Sequence, residues 1–271
     1  MTVTSYFEDR SMIRRIHRER AVALSGPRAL LMQAAHPLAV FGLLSHSSAL
    51  EEPYERLART AKTMNTIAFG SRADADRITK RVRTMHRRVS GHLPEAIGSY
   101  AAGTTYRADD PRLLLWVLFT LVDSALVVYN RYVHSLSREE EAAFWEDYKL
   151  VGRLFGLKQR DMPATLEELD AYRLRMLDGD ELFVTDWARQ RARQIVLAPP
   201  VPLLARPILE TVNFVTIALL PDPIREQYRF PALPPVLMRK ALVAGGAEHL
   251  KRAVIPFLPN RLRLIPSARA A

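Results

Sequence analysis

Residues 110–129 read DPRLLLWVLFTLVDSALVVY, and this stretch decides the fold class of the chain. An aspartate followed by a proline is typical of a helix start. The apolar run Leu113–Tyr129 is interrupted by Thr120, Asp123 and Ser124 and is short for a bilayer crossing. We therefore predict a buried helix at the centre of an all-α core, and no transmembrane segment.

Helical spacing of apolar residues recurs on both sides of this stretch, whereas alternating apolar and polar residues are almost absent. Ser137 followed by Glu140 has the Ser-x-x-Glu form of a capping box at a further helix start. From Pro199 onward prolines cluster, which predicts short helices and turns packed over the bundle. The helices that we predict are Arg10–Leu24, Pro27–Ala35, Pro53–Ala68, Ala73–Gly91, Pro111–Val133, Arg138–Phe155, Leu166–Leu177, Glu181–Leu197, Pro202–Leu220 and Val236–Ala253.

The composition is that of a folded protein with one large core, because 48% of the 271 residues are hydrophobic. We expect a multi-helix domain over residues 1–230 and a Pro-rich C-terminal helical extension with a basic tail over residues 231–271. The sequence contains no cysteine, which excludes disulfides, thiolate metal sites, iron–sulfur clusters and a cysteine nucleophile. A metal or cofactor must therefore be held by histidine, carboxylate or packing.

The formal net charge of +10 would suit nucleic acid, an anionic membrane surface or an acidic ligand. The basic residues are spread along the chain without a zinc-finger, RNA-binding or helix-turn-helix pattern, so we interpret them as solvated faces. We expect no nucleic-acid partner, and peripheral membrane contact stays open. Residues 1–20 lack the apolar core of a secretory signal, which predicts a cytoplasmic protein.

One face of the predicted helix Pro53–Ala68 is polar. Arg56, Arg59, Thr60 and Thr63 fall within an arc of roughly 100° at helical spacing. Two guanidinium groups and two hydroxyls on one face can bind an anion or donate hydrogen bonds to a polar ligand. An ordinary solvated helix face is the alternative interpretation.

The next helix combines a core stripe with a histidine. The stripe consists of Ile78, Val82, Met85 and Val89. His86 lies roughly 70° from the centre of this stripe, on the side that carries Arg83. A histidine in this place is either a half-buried residue at the edge of the core or an axial haem ligand, for which a neutral imidazole on a rigid helix is well suited.

Three further polar residues are candidates for a pocket. His36 precedes Pro37, so the helix from Pro27 should end or kink there and leave the imidazole at a helix terminus. His46 follows shortly after, and both histidines are either pocket residues or ordinary turn residues. Asp123 lies in the apolar central helix, where a carboxylate needs a partner, and we predict an arginine or histidine within hydrogen-bond reach.

Motifs of several common enzyme classes are absent from the sequence. It contains no P-loop, no Gly-x-Gly-x-x-Gly, no Gly-x-Ser-x-Gly and no His-Glu-x-x-His. Its paired glutamates stand at helix starts, where they favour the helix dipole. Familiar hydrolase and nucleotide chemistry is therefore not expected.

A set of short segments, taken in order, carries a resemblance to a known family. They are GPRALLMQAAHP at residues 26–37, His46-Ser47, RLART at 56–60, Phe69-Gly70, RVRTMH at 81–86, and DPRLLLWV with TLVDS at 110–124. Each segment is weak alone. Their order and approximate spacing, from about Arg18 to Tyr228, resemble the catalytic domain of the rubber oxygenase (latex-clearing protein) and MpaB-type family.

This resemblance implies a globin-like all-α domain that holds a b-type haem iron. His86, the histidine of the Arg-x-Arg-x-x-His segment, is then the proximal ligand. Arg56, Arg59 and Thr60 are implied on the distal side of the haem. We also place Arg83 and Asp123 among the cofactor-binding residues.

The chain departs from the family pattern at functional positions. Arg59 stands where rubber-cleaving members carry a lysine, and a protonated guanidinium is a poor iron ligand, which leaves the distal site open or water-filled. Leu118 replaces a histidine of many bacterial relatives, and no glutamate matches the proposed distal base. Polyisoprene is therefore doubtful as the substrate, and His36 or His46 is the alternative acid/base.

The resulting hypothesis is a haem b-dependent oxygenase that oxidises an apolar, isoprenoid or lipid-like substrate with O2, with an electron donor as a further partner. A non-catalytic haem- or lipid-binding helical protein is the second hypothesis. A basic peripheral membrane or nucleic-acid binder is the third.

Overall fold

The computed structural model describes residues 5–44, 53–197, 206–230, 248, 251 and 255–268. Helices dominate these residues, which confirms the all-α prediction, while the globin-like arrangement stays a prediction. The α-helices are α1 Met12–His17, α2 Ser25–Ala34, α3 Pro37–Leu44, α4 Pro53–Phe69, α5 Arg72–His86, α6 Pro111–Tyr132, α7 Arg138–Phe155, α8 Leu166–Asp178, α9 Asp186–Leu197, α10 Arg206–Leu219, α11 Asp222–Tyr228 and α12 Asn260–Arg263. The strands β1 Ser90–His92 and β2 Thr105–Arg107 form an antiparallel hairpin.

The long helix α6 forms the centre of the core. It packs against α2 and α7, and Trp116 is completely buried. Among the described residues, α6 is the one helix long and apolar enough to cross a membrane, and 67% of its most apolar window is buried inside the fold. Its burial against other helices agrees with the prediction of a core helix.

Local capping explains why the central helices begin and end where they do. The Asp110 side chain accepts a hydrogen bond from the Arg112 backbone amide at the start of α6. At the start of α7, Ser137 and Glu140 form the predicted reciprocal capping box. Helix α7 ends at Gly156, whose φ of 107° is a left-handed conformation that glycine adopts without strain. The predicted bounds of α7 are therefore confirmed.

The single helix predicted over Arg10–Leu24 is wrong. Helix α1 ends at His17, and a 3₁₀ turn begins at Arg20. Between them, Glu19 has an extended backbone and forms a β-bridge with Leu264. A contact distant in sequence thus overrides the local helical spacing.

Other boundaries also differ from the prediction. The helix predicted over Ala73–Gly91 ends at His86, because residues 90–92 pair with β2. Pro37 begins α3 instead of only ending α2, since proline fits the first turn of a helix. The start predicted at Glu181 lies at Asp186, and the start predicted at Pro202 lies outside the described residues. The helix predicted over Val236–Ala253 lies outside the described residues, apart from two positions.

The described part of the predicted basic tail is docked onto the body. Arg263 donates two hydrogen bonds of 2.8 Å to the carboxylate of Glu19. Arg20 Nε donates to the Leu264 carbonyl at 2.9 Å, and the Ile265 amide donates to the Arg18 carbonyl at 2.9 Å. The C-terminal segment is thereby fixed next to the turn that breaks the first predicted helix.

Candidate functional site

The two helices that carry the motif residues form a hairpin. Helices α4 and α5 are joined by residues 70–71 and line a common groove. At 1.5 Å per residue, Arg59 lies about 15 Å from the end of α4 and Arg83 about 17 Å from the start of α5. The hairpin therefore brings the RLART segment and the end of the RVRTMH segment to the same end of the molecule.

The face of α5 that packs against the body is centred on His86. Ala75 and Thr79 are buried, and His86, two turns beyond Thr79, is half-buried on the same side. Met85, predicted to be in the core, is 55% exposed. The buried face is rotated by roughly 70° from the predicted stripe, so the assignment of Met85 to the core is wrong. Small Ala75 and Thr79 allow closer packing than the larger residues of the stripe.

Arg83 lies one turn before His86 and is also half-buried. Its side chain passes close to Gly156 at the end of α7. The Arg83 Nε atom is buried and has no hydrogen-bond partner among the described residues. A buried guanidinium nitrogen without an acceptor is costly, so an anion or carbonyl oxygen at this place would be stabilised.

The polar face of α4 is exposed to solvent. Arg59 has a side chain that is 63% exposed and forms an ion pair with Glu55 at 3.7 Å. Thr60 is exposed, and Thr63 is half-buried and donates a hydrogen bond to the Arg59 carbonyl. The Arg56 side chain lies outside the part of the chain that the structure describes. The described residues of this face are therefore compatible both with an ordinary solvated helix face and with a binding site that is open to solvent.

His36 is buried next to two aromatic rings. Its ring centroid lies 5.8 Å from that of Tyr100 and 6.4 Å from that of Trp116. Burial, and secondarily the charge of Arg112, lower the pKa of His36 to about 4, so the imidazole is neutral near pH 7. Within the described residues, His36 Nδ1 and Trp116 Nε1 have no hydrogen-bond partner. His46, the other candidate acid/base, lies outside the described residues.

Two arginines lie next to Asp123, where one arginine or histidine was predicted. Arg28 Nη1 lies 2.7 Å from one carboxylate oxygen, and Arg173 Nε lies 3.4 Å from the other. Arg28 also donates to Ser124 Oγ at 2.7 Å and to the Leu219 carbonyl at 2.8 Å. The prediction of an arginine partner is confirmed. The cluster connects α2, α6, α8 and α10, which is the arrangement of a structural ion pair.

A second buried histidine was missed by sequence reasoning. His17 is close to Tyr148, with 2.7 Å between its Nε2 atom and the tyrosine hydroxyl. Burial lowers the pKa of His17 to about 4. This stretch was predicted only as part of the helix Arg10–Leu24, and the four arginines around His17 give no sign of its burial. The apolar spacing of Ile13 and Ile16 was the signal that one face of this stretch is buried.

The donor set at the end of α5 fits a b-type haem. A haem supplies four nitrogen ligands to its iron and needs one imidazole from the protein. His86 offers this imidazole from a rigid helix, and Arg83 offers a buried donor that suits a propionate carboxylate. Within the described residues, no group of three or more His, Cys, Asp or Glu side chains could hold a metal ion. A single histidine and its arginine neighbour are therefore the groups that would hold the haem.

The protein is thus an all-helical domain in which a two-helix hairpin presents a half-buried histidine and arginine. The family model described as "ER-bound oxygenase mpaB/B'/Rubber oxygenase, catalytic domain" matches residues 14–252. The chain belongs to this family of oxygenase catalytic domains. No curated protein and no solved structure matches the chain significantly.

Proposed function

We propose that this protein is a haem b-dependent oxygenase that uses O2 to oxidise an apolar substrate. The observation that carries this proposal is the position of His86 at the centre of the inward face of α5, beside the buried Arg83 Nε, which has no hydrogen-bond partner within the described residues. Membership of an oxygenase family supports the reaction class. The haem, the class of substrate and the electron donor are our proposals.

His86 is the residue that would hold the haem iron, through its imidazole. Coordination requires a neutral imidazole, and a helix restricts the directions in which the ring can point. When bound, haem supplies the iron at which O2 is activated. Arg83 is the proposed partner of a haem propionate, which would give its buried Nε an acceptor and fix the orientation of the ring.

Arg56, Arg59 and Thr60 are the proposed donors to the oxygen-binding side. Support comes from the hairpin geometry, which brings Arg59 to the level of Arg83. A guanidinium stays protonated and donates hydrogen bonds, so Arg59 would orient a polar atom and not ligate iron. His36 and His46 remain the proposed acid/base residues.

An apolar substrate is favoured by the uncovered apolar side of α5. Met85 is 55% exposed one residue from His86, and Val82 is half-buried on the same flank. A thioether is flexible and polarisable and adapts to varied apolar ligands. We therefore propose an isoprenoid or lipid-like substrate, with the cytoplasm as the compartment.

The experiment that tests the haem site compares His86→Ala with His92→Ala. His92 is exposed in β1, so its replacement is the matched control. Protein produced with ample haem should show a Soret band and near-stoichiometric haem b by the pyridine haemochrome assay. His86→Ala should lose this haem, and His92→Ala should keep it. A normal haem content in folded His86→Ala would reject the ligand assignment.

A second pair of variants tests Arg83. Arg83→Leu should weaken haem binding roughly tenfold, as expected when a charge-assisted hydrogen bond is lost. Arg87→Leu removes an exposed arginine from the end of the same helix and should leave haem affinity unchanged. Oxygen uptake with a reductant and a panel of isoprenoids then separates the enzyme from a non-catalytic haem protein, which would bind haem without consuming substrate.

A further inference from the structure

A groove of about 1000 Å³ lies between α4 and α5, away from the haem-binding side proposed above. On α5 its lining residues are centred roughly 130° around the helix axis from His86. Ala58, Ala61 and Phe69 from α4 and Ile78 from α5 contribute apolar atoms to the lining. The groove therefore lies on a different face of α5 from His86, although Phe69, Gly70 and Arg81 of the motif segments line it.

Positive charge borders this groove. Lys62, Arg77 and Arg81 all line it, and Asp74, the one carboxylate among the described lining residues, is paired with Arg77 at 2.7 Å. Within the described ranges, neither Lys62 nor Arg81 forms an ion pair. Two cations at the edge of an apolar surface create a local potential that attracts an anion.

The docked C-terminal segment closes part of the groove. Pro266 and Ser267 belong to its lining. Their position depends on the hydrogen bonds between Arg263 and Glu19, a carboxylate whose side chain is only 1% exposed. The lining of the groove is thus fixed by contacts between distant parts of the chain.

We infer that this groove binds an anionic single-chain amphiphile. The carboxylate or phosphate head group pairs with Lys62 and Arg81, and the apolar chain lies along Ala61, Phe69 and Ile78. The lining segment of α4 is long enough for an extended chain, since Ala58 and Phe69 are about 16 Å apart along this helix. An apolar lining with charge at its edge suits an amphiphile better than a nucleic acid, which needs repeated phosphate contacts and stacking surfaces.

The test is the binding of cis-parinarate, a fluorescent fatty-acid anion, to the full-length protein. Lys62→Glu/Arg81→Glu should raise the Kd roughly tenfold or more, because two exposed ion pairs become repulsions. Ala61→Trp keeps the net charge, fills the groove from an exposed position and should weaken binding to a similar extent. Lys80→Glu/Arg87→Glu makes the same charge change at an exposed residue of α5 and at the exposed residue that follows this helix, both outside the lining, and is the matched control.

Three further measurements separate the sources of binding. Methyl cis-parinarate lacks the charge and should bind roughly tenfold more weakly than the anion. Competition by an alkyl phosphate with a loss of parinarate fluorescence would show that either head group suffices, whereas inorganic phosphate should not compete. His86→Ala should bind the probe normally, because the groove does not include the proposed haem ligand. Equal affinity of the groove variants and the control would overturn it.

Discussion

Helices α6 and α5 differ in how completely the fold uses their side chains. In α6, 12 of 22 residues are buried, and its carboxylate Asp123 is paired with two arginines. In α5, Ala75 and Thr79 are the two buried residues. The difference indicates that α6 stabilises the fold by burial, whereas most side chains of α5 remain at least partly accessible.

Asp123→Ala should give the largest loss of stability, about 3 to 5 kcal/mol, because it leaves the buried Arg28 without its carboxylate. Urea denaturation measures this change in the free energy of unfolding. The matched variant Arg28→Met/Asp123→Leu removes both charges and should recover a large part of the loss. If Asp123→Ala were instead as stable as the parent protein but lacked haem, the assignment of α6 as scaffold would be wrong.

Acid should destabilise the core through His36. Its pKa is about 4 in the folded protein, against roughly 6.5 in an unfolded chain. Between these two pKa values the unfolded state therefore binds more protons than the folded state. The free energy of unfolding falls by up to roughly 3 kcal/mol as the pH drops from the unfolded pKa to the folded pKa. Urea denaturation near pH 7 and near pH 5 should show a smaller fall for His36→Phe.

His134→Gln is the control for this titration, because His134 is exposed in the loop before α7. It should keep the pH dependence of the parent protein. His17 is buried with the same low pKa and contributes a fall in the same direction, so His36→Phe removes only part of the slope. Parallel curves for His36→Phe and the parent protein would contradict the assigned burial.

Arg263→Ala should have an intermediate effect, about 1 to 2 kcal/mol, because the buried Glu19 loses two hydrogen bonds but keeps Arg18 at 3.6 Å. Hydrogen exchange should become faster in residues 255–268, which is measured by mass spectrometry. Arg261→Ala changes an exposed neighbour in α12 and serves as the comparison. Unchanged exchange in Arg263→Ala would show that the ion pair does not hold the C-terminal segment.

Met85→Gln should have the smallest effect on stability, within about 0.5 kcal/mol, because Met85 is largely exposed. Thermal unfolding measures this change. Ile67→Gln, at a fully buried position of α4, should cost several kcal/mol and provides the contrast within the hairpin. A strong destabilisation by Met85→Gln would show that Met85 belongs to the core, as the apolar stripe predicted.

The sequence predicted best where the relevant contacts are local. The capping box at Ser137 and the left-handed Gly156 define α7, and the bounds predicted for this helix are confirmed. Glu19 shows the opposite case, because its conformation is set by Leu264 and Arg263 at the far end of the chain. No local pattern around Glu19 contains that information.

For the candidate site, too, one part could be predicted from the sequence and another could not. The order of the motif segments indicated the family, and the family match over residues 14–252 confirms it. The rotation of α5 could not be predicted, because both its apolar stripe and the side with Ala75 and Thr79 could face the core. Close packing of small residues against neighbouring helices settled that choice.

The sequence by itself determined the helical class, the buried central helix, the need of Asp123 for a cation and the family. These properties follow from side-chain periodicity, from the cost of burying a charge and from the order of motifs along the chain. Only the tertiary structure decided that Arg28 and Arg173 are the cations, that Met85 is exposed while His86 faces inward, and that the C-terminal segment is docked. Each of these depends on contacts between residues far apart in the chain, which local periodicity does not encode.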